Sequence, residues 1–205
     1  MRRTSLVSAG FGVFVLGVAA CGWDQPVGPE STEAVSLSAT PDGSGVSGGG
    51  TFSHPLLGLV KFEVSAVRAP NGTVQGRFFY HFSFAPAPGA DPFDYQYKGE
   101  VTCFAVDLVN QRAWIGGVLT SSNDPDPNPI FHQGHDAWFR LLDQAESQGS
   151  PDEANPDRIT FMGFEGSAGI QTSAEYCERR IWPGPPTDPP NARTWPVVAG
   201  NLTIR

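Results

Sequence analysis

The chain predicts an all-β domain, an antiparallel β-sandwich or small β-barrel of about seven strands, on three observations. Leu59 to Arg68 alternates, with Val60, Phe62, Val64 and Ala66 on one face and Lys61, Glu63 and Ser65 on the other. That period of two belongs to a strand with one buried face. Between Gly99 and Leu119 two runs of β-prone residues meet across Asn110 and Gln111, the pattern of a central hairpin. No stretch of twelve or more residues carries a helical period of apolar positions.

Taken in order, the strand at Leu59–Arg68 is followed by Asn71-Gly72, a pair suited to the positive φ angles of a type I′ hairpin turn, and by a second arm from Thr73 to Phe84. In that arm Phe78, Tyr80, Phe82 and Phe84 share a face, a wall of core aromatics, while Phe79 and His81 point the other way. Ala85 to Pro92 is a proline-rich loop, because proline cannot donate to a ladder. Tyr95, Tyr97, Val101 and Cys103 then alternate with polar residues, which faces the cysteine inward with the tyrosines. Trp114 to Leu119 returns, and its Gly116-Gly117 permits a bulge or close contact. Further strands are expected at Ala137–Leu142, Arg158–Phe164 and Val197–Ile204. Loops fill residues 121–135 and 143–157, Cys177 lies in a weakly structured stretch, and Pro183 to Pro196 is a proline-rich crossing.

The first twenty residues read as an address. Two arginines precede an uncharged apolar run from Leu6 to Ala20, the n-region and h-region of a secretory signal. Fifteen residues at about 1.5 Å each fall short of a bilayer core of about 30 Å, which disfavours a permanent span. Val18-Ala19-Ala20-Cys21 resembles the lipobox of bacterial lipoproteins. The resemblance implies a diacylglyceryl group on Cys21, cleavage before it and acylation of the new N-terminus. Two or three acyl chains anchor stably where one does not. The division is then a lipoprotein signal peptide over 1–20, a flexible tether over 21–47, rich in Pro, Gly, Ser and Thr with a short edge strand at Val35 and Leu37, and the β domain over 48–205.

Charge narrows the partners. The 21 acidic residues exceed the 13 Lys and Arg, for a net charge of −8, and loss of Arg2 and Arg3 with the signal brings it to −10. Such a field repels phosphate backbones, which excludes nucleic acid as a partner class. After lipidation Cys103 and Cys177 form an even pair, which in an oxidising compartment reads as a disulfide. Closing a loop of that length is worth roughly 4 kcal/mol in the chain-entropy model. Two buried thiols are the competing reading.

Two phosphate-loop and nucleophile patterns fail on context. Gly43-Ser44-Gly45-Val46-Ser47-Gly48 matches G-x-G-x-x-G, and Gly45 to Gly49 matches G-x-S-x-G, but neither follows a strand and opens a helix. His132 and His135 form H-x-x-H in a loop rather than on one helical face, with His54 and His81 elsewhere, so they do not build a metal site. Asn123, Asp124 and Asp126, and Asp143, Glu146, Asp152, Glu153 and Asp157, place oxygen ligands on loops without EF-hand spacing and read as solvated acidic loops. No catalytic carboxylate pair is singled out among these acids. Phe79, Trp114 and Trp138 are the aromatic candidates for stacking a sugar, against core packing as the plainer account.

Gly48-Gly49-Gly50-Thr51-Phe52, Phe78-Phe79-Tyr80, Gly99 to Cys103, Ile115-Gly116-Gly117 and Pro156-Asp157-Arg158-Ile159 occur in an order that resembles a group of small secreted or lipid-anchored bacterial β-proteins with G-G-G-x-F, G-x-V-x-C, I-G-G and P-D-R-I-S blocks. The resemblance covers residues 48–205. It implies fold and compartment and transfers no catalytic residue. The expectation is an exported, lipid-anchored monomer of the cell envelope, without a cofactor, whose β domain binds or supports an envelope protein or glycan. A Ca²⁺- or carbohydrate-binding module and an envelope hydrolase are the alternatives.

Overall fold

A computed structural model of the chain describes residues 43–85, 89–144, 155–182 and 193–205. The signal peptide, Cys21, Val35, Leu37, Glu146, Asp152 and Glu153 lie outside the described residues.

The strands are β1 (Gly45–His54), β2 (Gly58–Arg68), β3 (Val74–Phe84), β4 (Phe93–Asp107), β5 (Arg112–Ser122), β6 (Asp136–Leu142), β7 (Arg158–Ile159), β8 (Gly163–Phe164) and β9 (Trp195–Ile204). Each of β1 to β5 pairs antiparallel with the next, β5 pairs with β6, β6 with β7, β7 with β9, and β9 with β1. The order closes on itself. The domain is an eight-stranded antiparallel barrel with β8 as an extra strand on β6.

The alternation in β2 and β3 sets the inside. Val60, Phe62, Val64 and Ala66 are buried and face Phe78, Tyr80 and Phe82 across the ladder. Full burial of each large side chain contributes about 1.5–3 kcal/mol. Tyr80 packs edge-on against Phe52, Phe139 and Phe161, so the described part of the lumen is a ring-filled core rather than a channel.

Nine strands stand where about seven were expected, for two local reasons. The glycine-rich run Gly45–Gly50 is strand, so residues 45–47, assigned to the tether, belong to the barrel. A Cβ on Gly48 would lie 2.4 Å from the Asn201 carbonyl, and one on Gly50 would lie 2.0 Å from that of Ala199. Only glycine lets β9 approach this closely. The single strand expected at Arg158–Phe164 is broken into β7 and β8 at Thr160–Met162.

Three further local expectations are corrected. The β2–β3 turn runs from Ala69 to Gly72, with the Gly72 amide donating to the Ala69 carbonyl and positive φ at Gly72 but not at Asn71. That is the type I turn with a left-handed glycine, with Pro70 presetting its second position, rather than type I′. The stretch holding Cys177 is a helix, α1 (Ser173–Arg179). In β4 the register shifts between Val101 and Cys103. Tyr97 and Val101 point inward before the shift and Phe104 and Val106 after it, which turns Cys103 to the outer face.

Candidate functional site

The outer face of β4, β5 and β6 carries a second, smaller core under α1, made of Ala105, Trp114, Trp138, Ile170, Tyr176 and Cys177. Local chemistry starts the helix: the Thr172 hydroxyl accepts from the Glu175 amide, and the Glu175 carboxylate accepts from the Gln171 amide, 2.9 Å away. Asp136 on β6 holds the helix down by accepting from the Ser173 amide at 2.9 Å. Cys103 and Cys177 are joined with their sulfurs 2.02 Å apart and their Cα atoms 6.1 Å apart. Gly116 makes room for this joint, because a Cβ there would lie 2.6 Å from the Cys103 sulfur.

Beside α1 the break between β7 and β8 leaves a cleft in the wall of about 700 Å³. Thr160 sits at the break: its amide donates to the Arg140 carbonyl and its Oγ1 accepts from the Arg140 amide, a side chain standing in for ladder geometry. Its carbonyl is taken by the buried Tyr80 hydroxyl at 3.2 Å. The cleft is floored by Trp138, Phe161, Tyr176 and Trp195 and flanked by Arg140 and Arg193. The Trp138 and Tyr176 rings lie 5.6 Å apart and near parallel, at 22°. Burial pushes the Tyr176 hydroxyl well above its usual range, so it stays neutral.

Two residues of the rim are backbone-strained. Ala168 has φ 54° and Arg193 φ 61°, and left-handed conformation costs a non-glycine residue about 1–2 kcal/mol. Such strain concentrates where a binding surface is shaped. Arg140 is held by the Ile181 carbonyl at 2.9 Å and, with Arg112, lies against opposite-charge-seeking faces of Trp182, 5.3 and 5.0 Å from the ring centre.

A second hollow, of about 740 Å³, opens on the outer faces of β2 to β5. Phe79 lies in it with Glu63, Arg77, Lys98 and Glu100 around the ring. Lys98 Nζ is 5.9 Å from the Phe79 centre, and His81 stacks at 6.3 Å.

The chain matches no protein-family model, no curated protein and no solved structure.

The structure separates most of the residues considered from sequence. His132 Nε2 bonds the Asp126 carbonyl at 2.6 Å, and His135 Nδ1 pairs with Glu165 at 3.0 Å, so the two do not converge. Among the described residues no group of three or more His, Cys, Asp or Glu is placed to hold a metal. The loop acids bind the fold's own polar groups. Asp124 accepts from the Tyr97 hydroxyl and from the Asp126 amide, and Asp126 accepts from the Asn128 amide. Asp143 accepts from Ile204, and Asp157 from Gln144 and Leu202. Of the aromatic candidates Trp114 and Trp138 are buried beneath α1, at 3 % and 4 % exposure, with Trp138 also bordering the cleft, and Phe79 lines the second hollow. The cleft at Thr160–Met162 left no mark in the sequence pattern, since a broken strand and a continuous one share the same alternation. The helix did leave one: Thr172-x-x-Glu175 is a capping box, with Arg179 one turn beyond Glu175.

Proposed function

We propose that the chain is an exported domain of the cell envelope, lipid-anchored through Cys21, monomeric and without a cofactor, which acts by binding a partner on its outer wall. The observation that carries the reading is the joined pair Cys103 and Cys177. Such a bond persists in oxidising compartments and is rare in the cytosol, which agrees with the signal and lipobox pattern at residues 1–21. A binding role is supported by the ring-filled core, which sends ligand contacts to hollows on the outer wall such as the two described above. It is also supported by Asp124, Asp126, Asp143 and Asp157 each serving backbone amides or a tyrosine, which fits structural rather than acid–base or Ca²⁺ work.

The anchor is tested by metabolic labelling with radioactive palmitate and membrane fractionation of the full chain and of Cys21→Ser. Label and membrane association that both vanish in the variant support it. An unlabelled wild-type chain, or label that survives the substitution, rejects it.

A second reading, a carbohydrate-binding module, is favoured by the hollow around Phe79. A half-buried ring bordering the hollow, flanked by carboxylates and cations, offers a sugar both a stacking face and hydroxyl partners. A glycan panel with Phe79→Ala as control decides it: binding lost in the variant supports the reading, and an unresponsive panel removes it.

A further inference from the structure

We propose that the β1–β2 turn is an acid-sensitive latch: the neutral His54 ring holds it closed through Nδ1, and protonation of that ring releases it. The inference goes beyond the binding reading above and does not depend on it.

Backbone donors come first. His54 pairs with Gly58, and Pro55, Leu56 and Leu57 join the two strands, with Gly58 at φ 72° in the left-handed region that three-residue hairpin loops use. Proline has no N–H, so this loop owns two amides, those of Leu56 and Leu57. Both donate to His54 Nδ1, each at 3.2 Å. A ring nitrogen that accepts from N–H groups carries a lone pair and no proton, which places the proton of the neutral ring on Nε2. The ring is itself held, its centre 4.4 Å from that of Trp195 and 5.6 Å from that of Phe161. The loop's two amides therefore share one lone pair on a braced ring.

A proton on Nδ1 turns that acceptor into a donor facing two donors. Both amides lose their partner, while the imidazolium gains from the indole that it already touches, so the ring stays and the turn gives way. Leu57, packed against the main core, is freed with it and joins Leu56, which is already 78 % exposed. Burial lowers the ring below its ordinary value of 6.5, and the two donated bonds favour the same neutral form. Among the described residues, the charged groups on the elements around the ring are Lys61 and Glu63 on the outer face of β2, Arg68 at the far end of that strand, Arg158 on β7, bonded to Thr194, and Arg193 ahead of β9. None of these charges shifts His54, and Tyr80, which touches Phe161, keeps its proton because burial raises it. A folded value below the unfolded one means that the latch is fully closed above about pH 6.5 and is lost as pH falls through the lowered value.

The experiment is nuclear magnetic resonance on the full chain labelled with nitrogen-15, from about pH 8 down to about pH 4.5, reading the His54 ring nitrogens and the order parameters of the Leu56 and Leu57 amides. The expected result is a neutral ring protonated on Nε2, and order parameters that fall from about 0.85 to below about 0.6 with the midpoint of that ring, while the Thr51 and Phe52 amides of β1 keep theirs. His54→Asn supplies a side-chain oxygen that accepts but does not titrate, so its turn should stay ordered at every pH. His54→Phe keeps a ring beside Trp195 without an acceptor, so its turn should be mobile at every pH, and it carries the test if the asparagine variant does not fold. A neutral ring protonated on Nδ1, a turn that stays ordered through the His54 midpoint, a fall that persists in His54→Asn, or an ordered turn in His54→Phe overturns the proposal.

Discussion

The Asp157 carboxylate closes the barrel where no strand does, taking the Leu202 amide on one oxygen at 2.7 Å and the Gln144 amide on the other at 2.9 Å. β7 is two residues long and pairs only with Trp195 and Pro196 of β9, so the β9 amides beyond that point need other acceptors. Asp157 supplies one and Asp143, on Ile204 at 2.9 Å, supplies the next. Asp157 is 4 % exposed, which removes water as a substitute.

Asp157→Ala should therefore leave two amides without their acceptor. Losing bonds to a charged acceptor and stranding their donors costs about 2–4 kcal/mol. For a domain of this size that is a drop of roughly 5–15 °C in Tm. Thermal unfolding followed by circular dichroism measures it, and a shift under 2 °C would show that the seam is held by something else.

Asp143 gives the same seam a pH dependence. Burial raises its carboxyl above the usual value, the Ile204 amide pulls it down, and the neighbouring Asp157 charge raises it again, for a net rise. A group held above its unfolded value binds its proton more firmly in the folded state. Its contribution is complete below the unfolded value of 3.8 and is lost as pH rises through the raised folded value. Asp143→Asn removes this component. The Tm of the variant minus that of the wild type should become more positive between pH 4 and neutrality, read by scanning calorimetry at matched ionic strength. A difference that is flat with pH, or of opposite slope, contradicts the assignment.

Much of this fold is legible in the chain because one-sided burial writes itself as alternation. Val60 to Ala66 and Phe78 to Phe82 carry the inner wall in a period of two, and the structure keeps every one of those residues inside. What escapes is set by contacts distant in sequence. Gly48 and Gly50 have no side chains to show an alternation, and their place in a strand is visible only once β9 is seen pressed against them. Cys103 follows the tyrosines in sequence parity, but a one-residue bulge at Thr102 reverses the face, and no local composition marks it. The cleft is less legible still, since Trp138 and Tyr176 are brought together by a seven-residue helix and Arg193 by the far end of the chain.

Reducing the Cys103–Cys177 bond should loosen α1 before the barrel. The bond joins residues 74 apart, and its loss costs about 2–4 kcal/mol. α1 covers Trp114 and Trp138, so a loosened helix exposes both indoles. Under reductant, tryptophan emission should move to longer wavelength while the far-ultraviolet β signal persists. Simultaneous loss of both signals would show that the outer core and the barrel unfold as one unit.

Gly99 tests the packing of the inner wall. It lies opposite Phe78 across the β3–β4 ladder, and a Cβ there would sit 2.1 Å from the Phe78 Cζ. The ring of Phe78 covers the bare backbone of Gly99 and reaches to 3.0 Å of the Cβ position of Gly117, filling the space that two glycines leave. Gly99→Ala must displace that ring into Phe139, its edge-on neighbour at 5.6 Å, and overpacking of this kind costs about 1–3 kcal/mol. Phe78→Leu alone leaves a gap and also destabilises. The two changes relieve each other, so the double variant should lose less than the sum of the singles by at least about 0.5–1 kcal/mol in a urea-unfolding cycle. Strict additivity would mean that the ring and the glycine do not share the space assigned to them.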